Sequence, residues 1–110
     1  MSELPEDVRS ILNPGEKILF AVKQSLDVLP EMIFVTNKRL IFRKSSALGL
    51  KKTVTDYPYS DIVNITIDRG LVRSTVDIKM RSGGELKITD IPKEEAYQLH
   101  RVIRERIFGA

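Results

Sequence analysis

The residues of this sequence best suited to chemistry are cations. Lys38, Arg39, Arg43, Lys44, Lys51 and Lys52 fall within the window 32–55, which holds no acidic residue. Four of them sit in 35-VTNKRLIFRK-44, around Leu40, Ile41 and Phe42. Positive charge at this density can meet a phosphate- or carboxylate-bearing partner. The whole chain has 18 basic and 15 acidic residues, a net +3, so a window of +6 leaves the remainder at −3. A charge run is also an ordinary solvated strand edge, and composition alone does not separate the two readings.

Other chemistries find little support. His100 is the one histidine, and its sequence neighbourhood holds no metal-ligand pair or charge relay. A lone helical histidine reads as a surface or interface residue. There is no cysteine, which removes disulfides, thiolate nucleophiles and Cys-based metal sites. Ser82-Gly83-Gly84 is a hairpin turn and not a phosphate-cradling loop. Neither an enzyme, a metal site nor a cofactor is expected. Single-stranded nucleic acid needs stacking aromatics beside the cations. Of the seven aromatics, Phe20, Phe34, Phe42 and Phe108 read as core, and Tyr57, Tyr59 and Tyr97 lie outside the basic window, which argues against nucleic acid.

A chain of 110 residues that is 42% hydrophobic and 30% charged fits one domain spanning 1–110. No apolar run approaches the ~20 residues of a membrane-spanning helix. MSELPEDVRS lacks the basic-then-apolar layout of a signal peptide. A cytoplasmic protein is the expectation, with peripheral membrane contact through the cations as an extension of it.

The elements that would hold these side chains follow from periodicity. Residues 4–12 read as a short helix with Leu4, Val8, Ile11 and Leu12 on one face, broken by Asn13-Pro14-Gly15. Period-two alternation begins near Glu16 and continues to about residue 89. Ile18, Phe20 and Val22 are expected on one face, as are Val63, Ile65 and Ile67, and Val72, Val76, Ile78 and Met80. Asn37-Lys38 marks a turn with asparagine where positive φ is tolerated. Each strand is expected to bury one face, giving an antiparallel sheet. Over about 92–108, Ala96, Leu99, Ile103 and Ile107 form one helical stripe. About seven half-buried strands must fold over into a barrel or sandwich that the terminal helix can plug. The fold class is mostly β with a C-terminal α-helix.

This layout resembles the pleckstrin-homology superfold. 35-VTNKRLIFR-43 resembles a hairpin of bacterial and archaeal PH-like domains and, more distantly, of GRAM domains. 13-NPGEKILFAVK-23, 57-YPYSDIVNITI-67 and 84-GELKITDIPKEEAYQLHRVI-103 are similar to the first strand, a strand entry, and the last strand with its capping helix. The resemblance implies a non-catalytic binding and assembly module that forms homo-oligomers through sheet edges. It also suggests a second reading, contact with an anionic membrane or lipid headgroup, or with another protein, through the 38–52 cations. About half of six strand residues can face one membrane, giving about 3 kcal/mol, so membrane contact would call for assembly.

Three local expectations accompany this frame. Arg39 is read as scaffold, reaching a nearby carboxylate or carbonyl. Ser60 or Asp61 is expected to bond local backbone before the next strand, and Leu48 and Leu50 either to pack on the barrel or to dip into a membrane interface. Ile41 interrupts the polar face of its strand, so that face calls for a cover: another subunit, the 45–52 loop or a membrane.

Overall fold

The computed structural model describes residues 4–25, 29–46 and 51–108. The order is α1 (Glu6–Arg9), β1 (Ile18–Lys23), β2 (Met32–Thr36), β3 (Arg39–Ser46), β4 (Lys51–Pro58), a 3-10 turn at Tyr59–Asp61, β5 (Ile62–Arg69), β6 (Arg73–Met80), β7 (Glu85–Pro92) and α2 (Lys93–Phe108). The strands form two antiparallel sheets, β1-β2-β3-β4 and β5-β6-β7. The seven strands and terminal helix are those the sequence pattern predicts.

The main core lies between the sheets and under α2. Ile33, Val35 and Leu40 meet Val76, Ile78 and Ile88 there, and Ala96, Leu99 and Ile103 close it as the helical stripe requires. A second cluster lies on the outer face of the first sheet, where Val8 of α1 packs on Phe34 and Ile41, flanked by Leu4, Leu12, Ile18, Met32 and Val54. This is why Met32 to Val35 is a continuous apolar run. Ile33, Phe34 and Val35 are all buried because β2 is covered on both faces. The expectation of one buried face per strand therefore fails at β2 and β3.

Bulges account for the other departures from simple alternation. An extra residue between Ile18 and Phe20 puts Ile18 in the outer cluster, while Phe20 and Val22 join the core. A second bulge between Ile62 and Asn64 leaves Ile62 and Ile65 inward and Val63 outward, contrary to the expected Val63–Ile65–Ile67 face. In β7 the register shifts at Asp90, which has φ +58, and Ile91 is buried with Leu86 and Ile88. The strand thus runs on through Pro92, and the helix begins at Lys93. At the other end of the pattern, β6 starts at Arg73 and Val72 is exposed, not inward as alternation predicts. The N-terminal helix is also shorter than 4–12: Pro5 caps it, and one helical turn follows.

Candidate functional site

The β2–β3 hairpin is organised by Thr36 and Asn37. The buried Thr36 hydroxyl oxygen accepts the Lys38 and Arg39 amides at 3.0 and 2.9 Å, closing the turn from its own side chain. Asn37 does not adopt positive φ, contrary to the sequence expectation. Its role is a cross-link: Oδ1 accepts the Lys17 amide at 2.8 Å, and Nδ2 donates to the Gly15 carbonyl at 3.2 Å. Tyr59 completes the knot. Its hydroxyl lies 2.6 Å from the Thr36 carbonyl oxygen and 2.8 Å from that of Arg39, and burial pushes the phenol above its usual range. The sequence offered no sign of this contact beyond the similarity of 57-YPYSDIVNITI-67 to a strand entry.

Arg39 is the hub of the outer face. Its Nε and Nη2 donate to Glu16 at 3.0 and 3.1 Å, Nη1 donates to Asp56 at 2.9 Å, and Nη2 also reaches the Ile11 carbonyl at 2.6 Å. The Glu16 side chain is fully buried. Burial raises the Glu16 pKa. The Arg39 bonds, the Asn13 amide and the Thr36 hydroxyl outweigh it and hold the carboxyl below its ordinary value. Glu16 in turn holds the Arg39 guanidinium above its usual range.

Arg43 repeats the arrangement four residues further along the same face of β3. Its Nε meets both oxygens of Asp7 at 3.0 Å and ties α1 to β3. Ile41, between the two arginines, is fully buried under α1. The cover that its strand face called for is thus the chain's own N-terminal helix, not another subunit, the 45–52 loop or a membrane.

The six cations do not form one patch. Arg39 and Arg43 are spent on carboxylates. Lys38, Lys44, Lys51 and Lys52 are exposed and make no ion pair with another described residue. Lys38 lies at the β2–β3 turn, whereas Lys51 and Lys52 pair with Ser46 and Ser45 at the far end of β3. The length of β3 separates them by roughly 20 Å, well beyond a screening length of about 8 Å. Lys44, Lys51 and Lys52 share one end of the β3–β4 ribbon, with Lys52 in register on the opposite face from the other two. Leu48 and Leu50, between the strands, lie outside the described residues.

Asp61 was expected to bond local backbone, but reaches across the fold. Its carboxylate accepts the Ser82 amide and hydroxyl, both at 3.2 Å, and its carbonyl accepts the Arg81 amide at 2.6 Å. It fastens the 3-10 turn to the β6–β7 turn. His100 sits half-buried where α2 crosses β5. Burial and the neighbouring Arg104 hold its imidazole below the usual value, against a hydrogen bond to the Ile65 carbonyl. Among the described residues, no group of acidic and imidazole side chains is placed to hold a metal, and no helix is long and apolar enough to cross a membrane.

Comparison with known proteins agrees with this architecture. A family model described as a bacterial PH domain matches residues 12–105. An uncharacterised protein of Archaeoglobus fulgidus is 29% identical over 109 residues, or 97% of this chain; the chain spans 57% of that relative's length. A pleckstrin homology domain from Shewanella amazonensis superposes with a TM-score of 0.74 at 18% identity, over 94% of this chain and 84% of that one. The PH domain of USP37 does so at 0.58 and 10% identity, over 77% and 91% of the two chains. The C-terminal domain of an unknown protein from Leishmania infantum gives 0.61 at 13%, over 86% and 87%. At these identities the structural likeness speaks for the fold. The α1 helix precedes the segment that the family model matches.

Proposed function

The chain belongs to the bacterial PH domain family, and from that premise we propose that it is a non-catalytic binding and assembly module that self-associates through open strand edges. The observation that supports this most is the sheet order. β4 and β5 each lack a neighbour on one side among the described residues. The opposite edges approach one another, where the Ser25 amide donates to the Asp90 carbonyl at 2.9 Å. An unpaired edge is a row of free amides and carbonyls, and a second copy can satisfy them. The middle of β4, Thr53-Val54-Thr55, carries no charge that would repel a like strand.

Solution mass by light scattering after size exclusion tests this, at low and at physiological salt. A single closed oligomer at both supports edge assembly. A monomer at both overturns it.

A second reading is contact with an anionic membrane surface through Lys44, Lys51 and Lys52. Their freedom from ion pairs and their shared end of the ribbon favour it. At roughly 1 kcal/mol per cation, the two that share a face, Lys44 and Lys51, supply about 2 kcal/mol, with Lys52 on the other face of the ribbon; that is weaker than millimolar binding for one copy. Several copies in one assembly would raise it through effective concentration. Lys38 lies too far along the ribbon to add to that field, and Arg39 and Arg43 are already neutralised.

A further inference from the structure

The turn between β5 and β6 exposes apolar side chains that nothing in the fold covers. Leu71 is 97% exposed and Val72 66%, the most exposed large hydrophobics among the described residues together with Phe108. The presentation is built into the backbone. The Gly70 amide donates to the Arg73 carbonyl at 2.9 Å, and a Cβ on Gly70 would stand 2.5 Å from that oxygen. Only glycine fits so tight a turn, and the turn leaves Leu71 and Val72 as its apex.

Two arginines flank the apex. Arg69 donates to the Tyr97 hydroxyl at 3.3 Å, and Tyr97 is itself 42% exposed beside the turn. Neither Arg69 nor Arg73 forms an ion pair with a described residue, and the buried Nε of Arg73 has no hydrogen-bond partner. Asp68, the nearest acid along the chain, lies opposite Thr75, further up the hairpin.

We propose that the 69–73 turn inserts into the headgroup–acyl boundary of an anionic bilayer. Leu71 and Val72 enter the apolar layer. Arg69 and Arg73 meet lipid phosphates, for which a guanidinium fork is suited. Tyr97 occupies the interface, where an amphipathic ring is favoured. A second copy is the poorer occupant. The apex is convex and two side chains wide, far short of the roughly 800 Å² per partner that a stable protein interface buries. A fluid bilayer accommodates such a wedge. This contact uses none of the β3–β4 lysines and does not require self-assembly.

The protein has no tryptophan, so Leu71→Trp introduces a single reporter. The full chain is mixed with vesicles of phosphatidylcholine alone or of phosphatidylcholine with phosphatidylserine. The expected result is a blue-shifted, quencher-shielded emission on the mixed vesicles, while a Val63→Trp control at the other end of β5 stays aqueous. Flotation of the wild-type chain should fall about tenfold or more with Leu71→Ser plus Val72→Ser. Arg69→Gln plus Arg73→Gln should remove the preference for phosphatidylserine. Arg69, Leu71 and Val72 are exposed and Arg73 is partly buried at the first position of β6, so circular dichroism should show an intact fold for each variant. An aqueous Leu71→Trp signal on every vesicle overturns the proposal, even if Lys44→Ser, Lys51→Ser and Lys52→Ser together weaken flotation. A blue shift that grows with protein concentration in buffer alone overturns it as well, because a second copy then covers the apex.

Discussion

Two regions of this molecule place arginines around apolar side chains, with opposite outcomes. On β3, Arg39 and Arg43 flank Ile41; at the β5–β6 turn, Arg69 and Arg73 flank Leu71 and Val72. Ile41 is fully buried and Leu71 is 97% exposed. The difference lies in what the fold brings to each. β3 receives Glu16, Asp56 and Asp7 together with the apolar face of α1, whereas the side chains of the β5–β6 turn receive, among the described residues, the Tyr97 hydroxyl and no carboxylate. A cation beside an apolar residue is therefore not by itself a sign of a contact surface. It becomes scaffold when carboxylates close over it and stays available when they do not.

The sharpest break of this comparison is Glu16→Ala. It removes the main partner of an Arg39 side chain that is only 17% exposed. Urea unfolding should show a loss of about 3–5 kcal/mol, as for other broken buried pairs. Ile41→Ala should cost about 2–4 kcal/mol by the same measurement, because it opens a cavity beneath α1. Asp7→Ala should cost less, about 1–2 kcal/mol, since the Asp7–Arg43 pair is only partly buried and a single helical turn depends on it. Faster amide exchange in residues 6–12, with protection of β6 unchanged, would localise that loss. Leu71→Ser plus Val72→Ser should change stability by less than about 0.5 kcal/mol, as for ordinary surface positions. A large loss there would mean that the apex is packed, and the contrast between the two regions would fail.

The pH dependence of stability follows the same division. Glu16 has a folded pKa below its ordinary 4.5, so on acidification the unfolded chain takes up that proton first. Its stabilisation is complete above pH 4.5 and is lost as pH falls through the folded value, and Glu16→Gln should flatten the acid limb of the stability curve. His100, also depressed from its usual 6.5, acts in a higher window. The unfolded chain again binds the proton more readily, so stability should decline as pH drops below 6.5, and His100→Gln should remove that slope. Urea midpoints measured across pH 3 to 8 separate the two contributions.

Much of the fold could be read directly from residue order. Alternation located the strands, Asn37-Lys38 and Arg81 to Gly84 located turns, and Ala96, Leu99, Ile103 and Ile107 located the helix and its buried face. The buried face departs from simple alternation where α1 covers the second face of β2 and β3 and where one residue is inserted into a strand. At Val63 and Asp90 a bulge moves every later side chain to the other face, and no residue type announces it. The apex was misread for a related reason. Val72 continues the apolar alternation of β6, but the turn at Gly70 excludes it from the strand.

The sequence by itself determined the element order, the two-period and helical stripes and hence the PH-like architecture, because these depend on neighbours within a few residues. It also determined that six cations share an acid-free window. Only the tertiary structure decided what those cations do. The partners of Arg39 lie 23 and 17 residues away and that of Arg43 36 residues away, on segments that meet them only once the sheet has formed. Electrostatic pairing falls off with distance in space, not along the chain. For the same reason a dense basic stretch became two internal struts and two separated ends, while an inconspicuous RGLVR turn became the most exposed apolar point among the described residues.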